Sequence, residues 1–262
     1  MSKKYIIIPD CQVKPGQDWD YLRWAGNYCV RKKPDVVICL GDFADMPSLS
    51  LYDVGTREFE GRRYKSDIEA VQKAQEAFFA PFRELDALLK ERKKGPWRPE
   101  LHMLYGNHEH RIVRATNQDA KLTGTIGLED LKYKDFGWTT HEFLKPLVLD
   151  GIAFCHYFVS GVMGRPITTA QSLLTKKHMS CIAGHQQGRQ IATSQRADGK
   201  TITGIISGSF YEADQDYLTP QTVKHWSGII VLHEVEDGEF SEMFVSLEYL
   251  RQKYSSRNAW RG

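Results

Sequence analysis

Short apolar runs of β-branched and aromatic residues recur along this chain, and a polar cluster directly follows each of them. The first four runs are residues 5–9, 36–40, 101–105 and 181–183. Runs of this length and composition are typical of strands that are buried on both faces of a sheet. A fifth run, residues 152–157, contains His156. Helix-like segments separate several of these runs, so the sequence indicates an α/β fold.

The polar clusters carry the residue types of a metal-dependent active site. They are residues 10–12 (Asp-Cys-Gln), 41–45 (Gly-Asp-Phe-Ala-Asp), 106–109 (Gly-Asn-His-Glu) and 184–187 (Gly-His-Gln-Gln). Each cluster stands where a strand would end. In α/β proteins the carboxyl ends of neighbouring strands carry the functional groups, so we expect these side chains to lie together.

The order of elements supports this arrangement in the first part of the chain. We predict strands over residues 5–10, 36–41, 101–106 and 146–157, and a helix over about 19–32. Apolar residues recur with helical spacing from Asp67 to Lys94, and Gly95-Pro96 would end that helix. Pro81 lies inside it, where a proline should kink the helix or divide it into two.

The last part of the chain is predicted to be rich in strands. A helix over 167–179 precedes them. Two Asp-Gly turns, at Asp198-Gly199 and Asp237-Gly238, are flanked by apolar runs and predict two β-hairpins. No repeat or long linker divides the sequence. We therefore expect residues 1–262 to form a single domain, with a helical insertion at about 46–98.

Composition limits the partners and the compartment. The 35 basic and 33 acidic residues give a net charge of only +2, so no strong field points to nucleic acid or membrane. The five cysteines have no Cys-x-x-Cys spacing, as expected for reduced thiols. No apolar stretch reaches 18 residues, and the start lacks the apolar core of a signal peptide. We expect a cytoplasmic protein with neither a membrane association nor an obligate protein partner.

The inventory of the polar clusters matches the needs of phosphoester hydrolysis. That reaction requires a hydroxide nucleophile, cationic charge on the phosphoryl oxygens, and a proton for the leaving group. Two metal ions about 3.5–4 Å apart can supply the first two. Carboxylates, imidazoles and amide oxygens from several strand ends can hold such ions.

In the order and content of these clusters the chain resembles the calcineurin-like metallophosphoesterase superfamily. The pattern of that superfamily is Asp-x-His, Gly-Asp-x-x-Asp, Gly-Asn-His-Asp/Glu, a His on a strand, and Gly-His-x-His. The match extends from Asp10 to Gln187. The resemblance implies a four-layer α-β-β-α sandwich with the metal site at the carboxyl ends of the strands. The amino-terminal half also looks like small phosphoesterases encoded by phages.

The resemblance also implies roles for individual residues. Its first metal site would use Asp10, Gln12, Asp42 and Gln187. Its second would use Asp42, Asn107, His156 and His185. Hydrolysis would proceed through a metal-bound hydroxide, with Asp42 bridging the two sites and His108 as the catalytic proton donor.

The sequence departs from the superfamily pattern at two positions of the first site. Gln12 and Gln187 stand where the pattern has histidine. An amide oxygen is neutral and is a poorer ligand for zinc or iron than imidazole. We therefore expect one tightly bound divalent ion in the second site and a weak or absent ion in the first. Mn²⁺ is the expected ion, with Mg²⁺, Ni²⁺, iron or Zn²⁺ as alternatives.

The substrate is expected to be a nucleotide, a nucleic acid or a related small diester. Protein phosphatases of the superfamily have an Arg after the second Asp of the Gly-Asp-x-x-Asp motif, whereas Met46 follows Asp45 here. Substrate contacts are predicted for Asn107, Arg111, Arg165 and Tyr211. A non-hydrolytic phosphoryl-binding module and a phosphomonoesterase remain alternatives. The roles of Glu109, His110 and Arg114 stay open.

Overall fold

The computed structural model of the protein describes residues 2–212 and 225–255. Its strands are β1 (Lys3–Ile8), β2 (Val36–Cys39), β3 (Glu100–Leu104), β4 (Thr139–His141), β5 (Leu147–Leu149), β6 (Ile152–Cys155), β7 (Val159–Ser160), β8 (Arg165–Pro166), β9 (Ser180–Ala183), β10 (Arg189–Gln195), β11 (Thr201–Ser207), β12 (Gly228–Glu236) and β13 (Glu239–Ser246). Its α-helices are α1 (Asp20–Lys32), α2 (Tyr64–Glu91), α3 (His110–Gln118), α4 (Ala170–Lys177) and α5 (Leu247–Tyr254).

The strands form two main sheets. The first has the order β13-β12-β1-β2-β3-β4, in which β1, β2, β3 and β4 run parallel. The second has the order β10-β11-β9-β6-β5, in which β6, β9 and β11 run parallel. Strands β7 and β8 form a separate short hairpin. Parallel neighbours need a crossover connection, and α1 and α2 provide it for β1, β2 and β3.

The two sheets pack face to face, and helices cover their outer faces. Ile7 and Ile38 of the first sheet pack with Phe154 and Ile182 of the second. The alternate residues of β1 and β2 face α1 and α2 on the other side of the first sheet. Helix α4 covers the outer face of the second sheet, where Leu173 joins the buried cluster of β6 and β9. The predicted four-layer α-β-β-α sandwich is confirmed.

Helix α2 runs without interruption from Tyr64 to Glu91, so of the two predicted effects of Pro81 the division into two helices is wrong and the kink stays a prediction. Pro81 is buried where α2 meets α1. A Cβ atom at Gly26 of α1 would lie 2.2 Å from the carbonyl oxygen of Phe78 and 3.2 Å from Cγ of Pro81. The two helices therefore approach more closely than any side chain at Gly26 would allow. This packing stabilises the helical turn that the proline weakens.

Other boundaries differ from those expected. The strand predicted over 146–157 is the antiparallel pair β5 and β6, which reverses at Asp150-Gly151 with φ of +44° and +81°. The apolar residues on both sides of this turn hid it in the sequence. Both predicted hairpins are confirmed as β10–β11 and β12–β13. Strand β4 and helix α5 were not expected.

The segment predicted as a helical insertion contains α2 and two short 3-10 helices, Pro47–Leu49 and Arg57–Phe59. Helix α2 packs with α1 on the first sheet, so it belongs to the outer helical layer. The single-domain organisation stays a prediction. All five cysteines are buried and free. In the two described stretches, every helix is too short or too polar to cross a bilayer.

Replacing Gly26 with alanine tests the contact between α1 and α2. Alanine usually favours a helix by about 1 kcal/mol over glycine. Here its methyl group meets main chain at 2.2 Å, and overpacking of this kind costs about 1–3 kcal/mol. We expect Gly26→Ala to lower the free energy of unfolding, measured by urea denaturation. Gly95→Ala is the control, because its added Cβ would meet nothing within 4 Å. A Gly26→Ala protein more stable than the wild type would contradict this packing.

Candidate metal centre

Five loops bring polar side chains together at one edge of the two sheets. They follow β1, β2 and β3 of the first sheet and β6 and β9 of the second, which are parallel neighbours within each sheet. The main chain is left-handed at Gln12, Asp42, His185 and Gln187, with φ between +46° and +69°. Non-glycine residues rarely adopt this conformation, and such strain is concentrated at functional sites.

Four predicted ligands converge here. Ligand atoms of Asp42, His156 and His185 lie within 4.8 Å of one another. Nε2 of His156 lies 3.3 Å from Oδ2 of Asp42 and 2.9 Å from Oδ1 of Asn107. These are the four residues that the resemblance assigns to the second metal site. The structure brings them together, and their role as ligands stays a prediction.

The buried imidazole of His156 shows why a cation fits this position. Nδ1 lies 3.1 Å from the carbonyl oxygen of Leu40, so it can donate a hydrogen bond there. In the neutral ring, the lone pair of Nε2 then meets lone pairs of Asp42 and Asn107. Burial lowers the pKa of His156, but the carboxylates of Asp42 and Asp10 outweigh it and raise the pKa to about 9. A divalent ion can take the place of the second proton.

The other groups are also in the states that metal binding requires. Burial raises the pKa of Asp42, but the nearby His156 and His108 outweigh it, so the pKa is below its ordinary value. Burial and the charge of His156 lower the pKa of His185 to about 4. An ionised carboxylate and a neutral imidazole are therefore present at neutral pH. With the amide oxygen of Asn107, this mixed set suits first-row transition metals.

The neighbouring position, assigned to the first metal site, is different. Asp10 is fully buried, and both its carboxylate oxygens lie 3.1 Å from the main-chain N–H of His185, which donates to them. Burial raises the pKa of Asp10 above its ordinary value despite the opposing charge of His156. Oε1 of Gln187 accepts a hydrogen bond from the hydroxyl of Tyr211 at 2.9 Å. Among the described residues, the side-chain amide of Gln12 has no hydrogen-bond partner.

His108 is held beside Asp42 by Asp45. Its Nδ1 lies 2.8 Å from Oδ1 of Asp45, and its Nε2 lies 3.7 Å from Oδ2 of Asp42. The main-chain N–H of His108 donates to Oδ1 of Asp42 at 2.9 Å. Burial lowers the pKa of His108, but the two carboxylates outweigh it and raise the pKa above its ordinary value. A protonated imidazole in this place can donate a proton to a bound substrate.

Arg111 lies against the same group. Its Nη1 donates to the carbonyl oxygens of Asp45 and Met46 at 2.8 and 3.3 Å, and its Nη2 lies 3.3 Å from Nε2 of His108. The structure therefore brings Arg111 to the edge of the site. Its predicted contact with substrate stays a prediction.

Glu109 connects the loops that follow β2 and β3. Its buried carboxylate accepts hydrogen bonds from the main-chain N–H groups of Asp42, Ala44 and Gly106 at 2.9–3.0 Å. It also accepts one from the hydroxyl of Tyr133 at 3.0 Å. The sequence left the role of Glu109 open, and the structure shows that its carboxylate binds the main chain of these two loops. Tyr133 was missed because nothing in its local sequence sets it apart from other aromatic residues.

Two glycines of the sequence clusters leave room for the carboxylates. A Cβ atom at Gly106 would lie 2.1 Å from Oδ1 of Asp42. A Cβ atom at Gly184 would lie 2.5 Å from Oδ1 of Asp10. Each loop can therefore approach the carboxylate of another strand only because it carries no side chain there.

Arg165 and His110, which the sequence singled out, and two aromatic residues next to candidate ligands in the sequence lie apart from this centre or pack around it. Arg165 is exposed in the β7–β8 hairpin, where it pairs with Ser160, and the described contacts do not connect it to the site. The ring of His110 stacks on Phe143. Phe43 is buried against Tyr133, which supports a packing role. Tyr157 packs on the ring of His185.

Comparison with known proteins gives one family match and two related phage proteins. The sequence profile described as calcineurin-like phosphoesterase matches residues 3–212. The chain is 32% identical over 120 residues to the Gene 54 protein of Mycobacterium phage L5, covering 46% of this chain and 41% of that protein. It is 35% identical over 83 residues to the Gene 54 protein of Mycobacterium phage D29, and this match covers 32% of this chain and 31% of that protein. The chain thus spans less than half the length of these relatives.

Two solved structures are also similar to this chain. One is a conserved uncharacterized protein, a predicted phosphoesterase, from Streptococcus pneumoniae TIGR4. Its identity to this chain is 10% and the TM-score is 0.38. The match covers 95% of this chain and 91% of the other chain. The other is a dimetal phosphatase from Danio rerio, with 14% identity and a TM-score of 0.38. This match covers 94% of this chain and 99% of the other chain.

Replacing Glu109 with glutamine tests its connecting role. One carboxylate oxygen becomes an NH₂ group that faces N–H donors, and each unsatisfied buried donor costs about 1–3 kcal/mol. We expect a loss of at least about 2 kcal/mol in the free energy of unfolding. We also expect Mn²⁺ to bind about 10- to 100-fold more weakly, because removing a hydrogen-bond partner that orients metal ligands typically has an effect of this size. Calorimetry with Mn²⁺ measures this affinity.

Tyr133→Phe provides the matched control, because it removes one donor and leaves the carboxylate intact. Its loss should be about 1 kcal/mol. Equal stability and metal affinity in the Glu109→Gln protein and the wild type would show that this carboxylate does not hold the two loops together.

Proposed function

The chain belongs to the calcineurin-like phosphoesterase family, and we propose that it is a metal-dependent phosphodiesterase that acts on a nucleotide, a nucleic acid or a related diester. One observation carries the proposal. Asp42, Asn107, His156 and His185 converge at a single position, and His108 lies beside it. Ligands of this kind next to a proton donor provide what phosphoester hydrolysis requires.

The resident ion would be held by Asp42, Asn107, His156 and His185, with Mn²⁺ as the expected metal. When bound, a divalent ion supplies charge to polarise a phosphoryl oxygen and lowers the pKa of a water molecule. The protein contributes the fixed geometry of these groups. Asp42 is positioned by its main-chain N–H bond to Glu109, and Nδ1 of His156 is positioned by the carbonyl oxygen of Leu40.

His108 is proposed to protonate the leaving oxygen. Asp45 occupies its Nδ1, and Nε2 lies 3.7 Å from Oδ2 of Asp42, so Nε2 is the nitrogen proposed to face the substrate. The carboxylates of Asp42 and Asp45 raise the pKa of His108 above its ordinary value, which favours the protonated imidazole that a proton donor requires. Arg111, with Nη2 beside the same nitrogen, is placed to stabilise negative charge on the phosphoryl group.

Two features favour a diester over a monoester. A monoester dianion requires more positive charge than a diester monoanion. Met46 follows Asp45, where related protein phosphatases have an arginine. Gln12 and Gln187 are neutral at the first position. The site thus offers limited cationic charge.

The test is turnover of bis-p-nitrophenyl phosphate against p-nitrophenyl phosphate by the purified protein with Mn²⁺, Mg²⁺, Ni²⁺ and Zn²⁺, together with metal analysis. The proposal expects a higher kcat/KM for the diester and no turnover after chelation. A higher kcat/KM for the monoester would identify a phosphomonoesterase. Bound metal without turnover of either ester would favour the non-hydrolytic binding module.

Removing the imidazole of His108 tests the proposed proton donor. General acid catalysis contributes about 10²- to 10⁴-fold, so His108→Ala should lower kcat by that amount for a dinucleotide, which has a poor leaving group. The loss should be smaller for bis-p-nitrophenyl phosphate, because p-nitrophenolate leaves without protonation. The metal content should not change. Equal losses for the two substrates would argue for electrostatic stabilisation by His108 instead of proton transfer.

Placing histidine at residues 12 and 187 tests whether the first site has a low affinity for metal ions. After dialysis we expect the wild type to retain one ion per chain. Gln12→His combined with Gln187→His supplies two imidazoles, so the content should rise toward two ions and the preference should shift to softer ions such as Zn²⁺. Mass spectrometry of the metals measures both. His156→Ala is the control and should lose the resident ion. A wild type that retains two ions after dialysis would contradict the expectation.

A further inference from the structure

The contact between Tyr211 and Gln187 joins two side chains of the first position. The hydroxyl of Tyr211 donates a hydrogen bond to Oε1 of Gln187 at 2.9 Å. The main chains of both residues are fixed in the same region. The carbonyl oxygen of Gln187 accepts from the N–H of Trp226 at 3.1 Å, and Oγ of Ser227 donates to the carbonyl oxygen of Tyr211 at 2.8 Å. The amide of Gln187 is therefore oriented by a defined partner.

The hydroxyl of Tyr211 acts as a donor in this contact. The side chain is half-buried, and its hydroxyl lies 2.9 Å from Oε1 of Gln187, an atom that can only accept. An amide whose oxygen accepts from this hydroxyl turns its NH₂ group the other way. Gln187 then offers N–H donors, where the superfamily pattern has a metal-binding imidazole.

The remaining groups of the first position do not fit a resident metal ion. Within residues 2–212 and 225–255, the carboxylates assigned to this position are Asp10 and the shared Asp42, and the oxygens of Asp10 accept from the N–H of His185. Gln12 and Gln187 are neutral amides. Asp10 is also outside the set of ligand atoms that lie within 4.8 Å of one another, which contains Asp42, His156 and His185. Few anionic ligands remain for a hard cation.

We propose that Gln187, oriented by Tyr211, binds a non-bridging oxygen of the phosphodiester through its amide N–H and replaces the first metal ion of the family. Tyr211 is the positioning residue of this subsite. The inference rests on the proposed function and refines its substrate class. One cation with a neutral donor matches the single negative charge of a diester better than the double charge of a monoester.

Tyr211→Phe is the decisive variant, measured by steady-state kinetics with bis-p-nitrophenyl phosphate and by metal analysis after dialysis. Without its donor, Gln187 loses its orientation. KM should rise about tenfold, which corresponds to the loss of one hydrogen bond, while kcat should change much less. The metal content should stay at one Mn²⁺ per chain. Tyr64→Phe is the control, because it removes a hydroxyl bonded to Asp130 and should leave KM unchanged.

Gln187→Glu provides a second arm, because it replaces the proposed donor with a carboxylate. KM for the diester should rise, and a second Mn²⁺ should bind. If Tyr211→Phe instead lowers the metal content from two ions to one, Gln187 is a metal ligand and the inference is wrong. A Tyr211→Phe protein that is less stable but has an unchanged KM would assign Tyr211 a structural role only and would also overturn it.

Binding without turnover separates this inference from the proposed function. If the wild type hydrolyses neither ester, the proposed function fails. Calorimetry with bis-p-nitrophenyl phosphate then still compares the wild type with Tyr211→Phe. A Kd about tenfold weaker in the variant would support the Gln187 subsite, and an equal Kd would overturn it.

Discussion

The carboxylate of Glu109 accepts hydrogen bonds from the main-chain N–H groups of Asp42, Ala44 and Gly106, and through them it joins the loops after β2 and β3. Buried hydrogen bonds to a charged group are strong, and leaving any of the donors unpaired is costly. The positions of Asp42 and Asn107 therefore follow from this contact. The parallel pairing of β6 with β9 brings the loops that follow these strands, with His156 and His185, to the same edge.

The charges of the site are balanced around His156. Its Nδ1 lies 4.0 Å from Oδ1 of Asp10, and its Nε2 lies 3.3 Å from Oδ2 of Asp42. Two buried carboxylates need compensating positive charge, which a protonated imidazole or a divalent ion can supply. The neutral imidazole of His185 adds a nitrogen that can coordinate a metal ion at this position. Gln187 adds only a neutral amide at the position of the first metal site, so the two positions in this chain carry different donor groups.

The strand ends and their polar clusters could be predicted because each is a local pattern of an apolar run followed by Asp, Asn or His. The four-layer fold followed from the resemblance that these clusters carry. The turn at Asp150-Gly151 could not be recognised, since apolar residues continue on both sides of it. The partners of Glu109 and the contact between Tyr211 and Gln187 depend on tertiary packing, which no local sequence signal records.

The most direct measurement of the central claim is anomalous X-ray diffraction from crystals of the protein grown with Mn²⁺. One strong peak is predicted, within coordination distance of Asp42, Asn107, His156 and His185. No comparable peak should lie between Asp10 and Gln187. Two peaks of similar height would contradict the unequal positions, and a peak away from these ligands would contradict the metal centre itself.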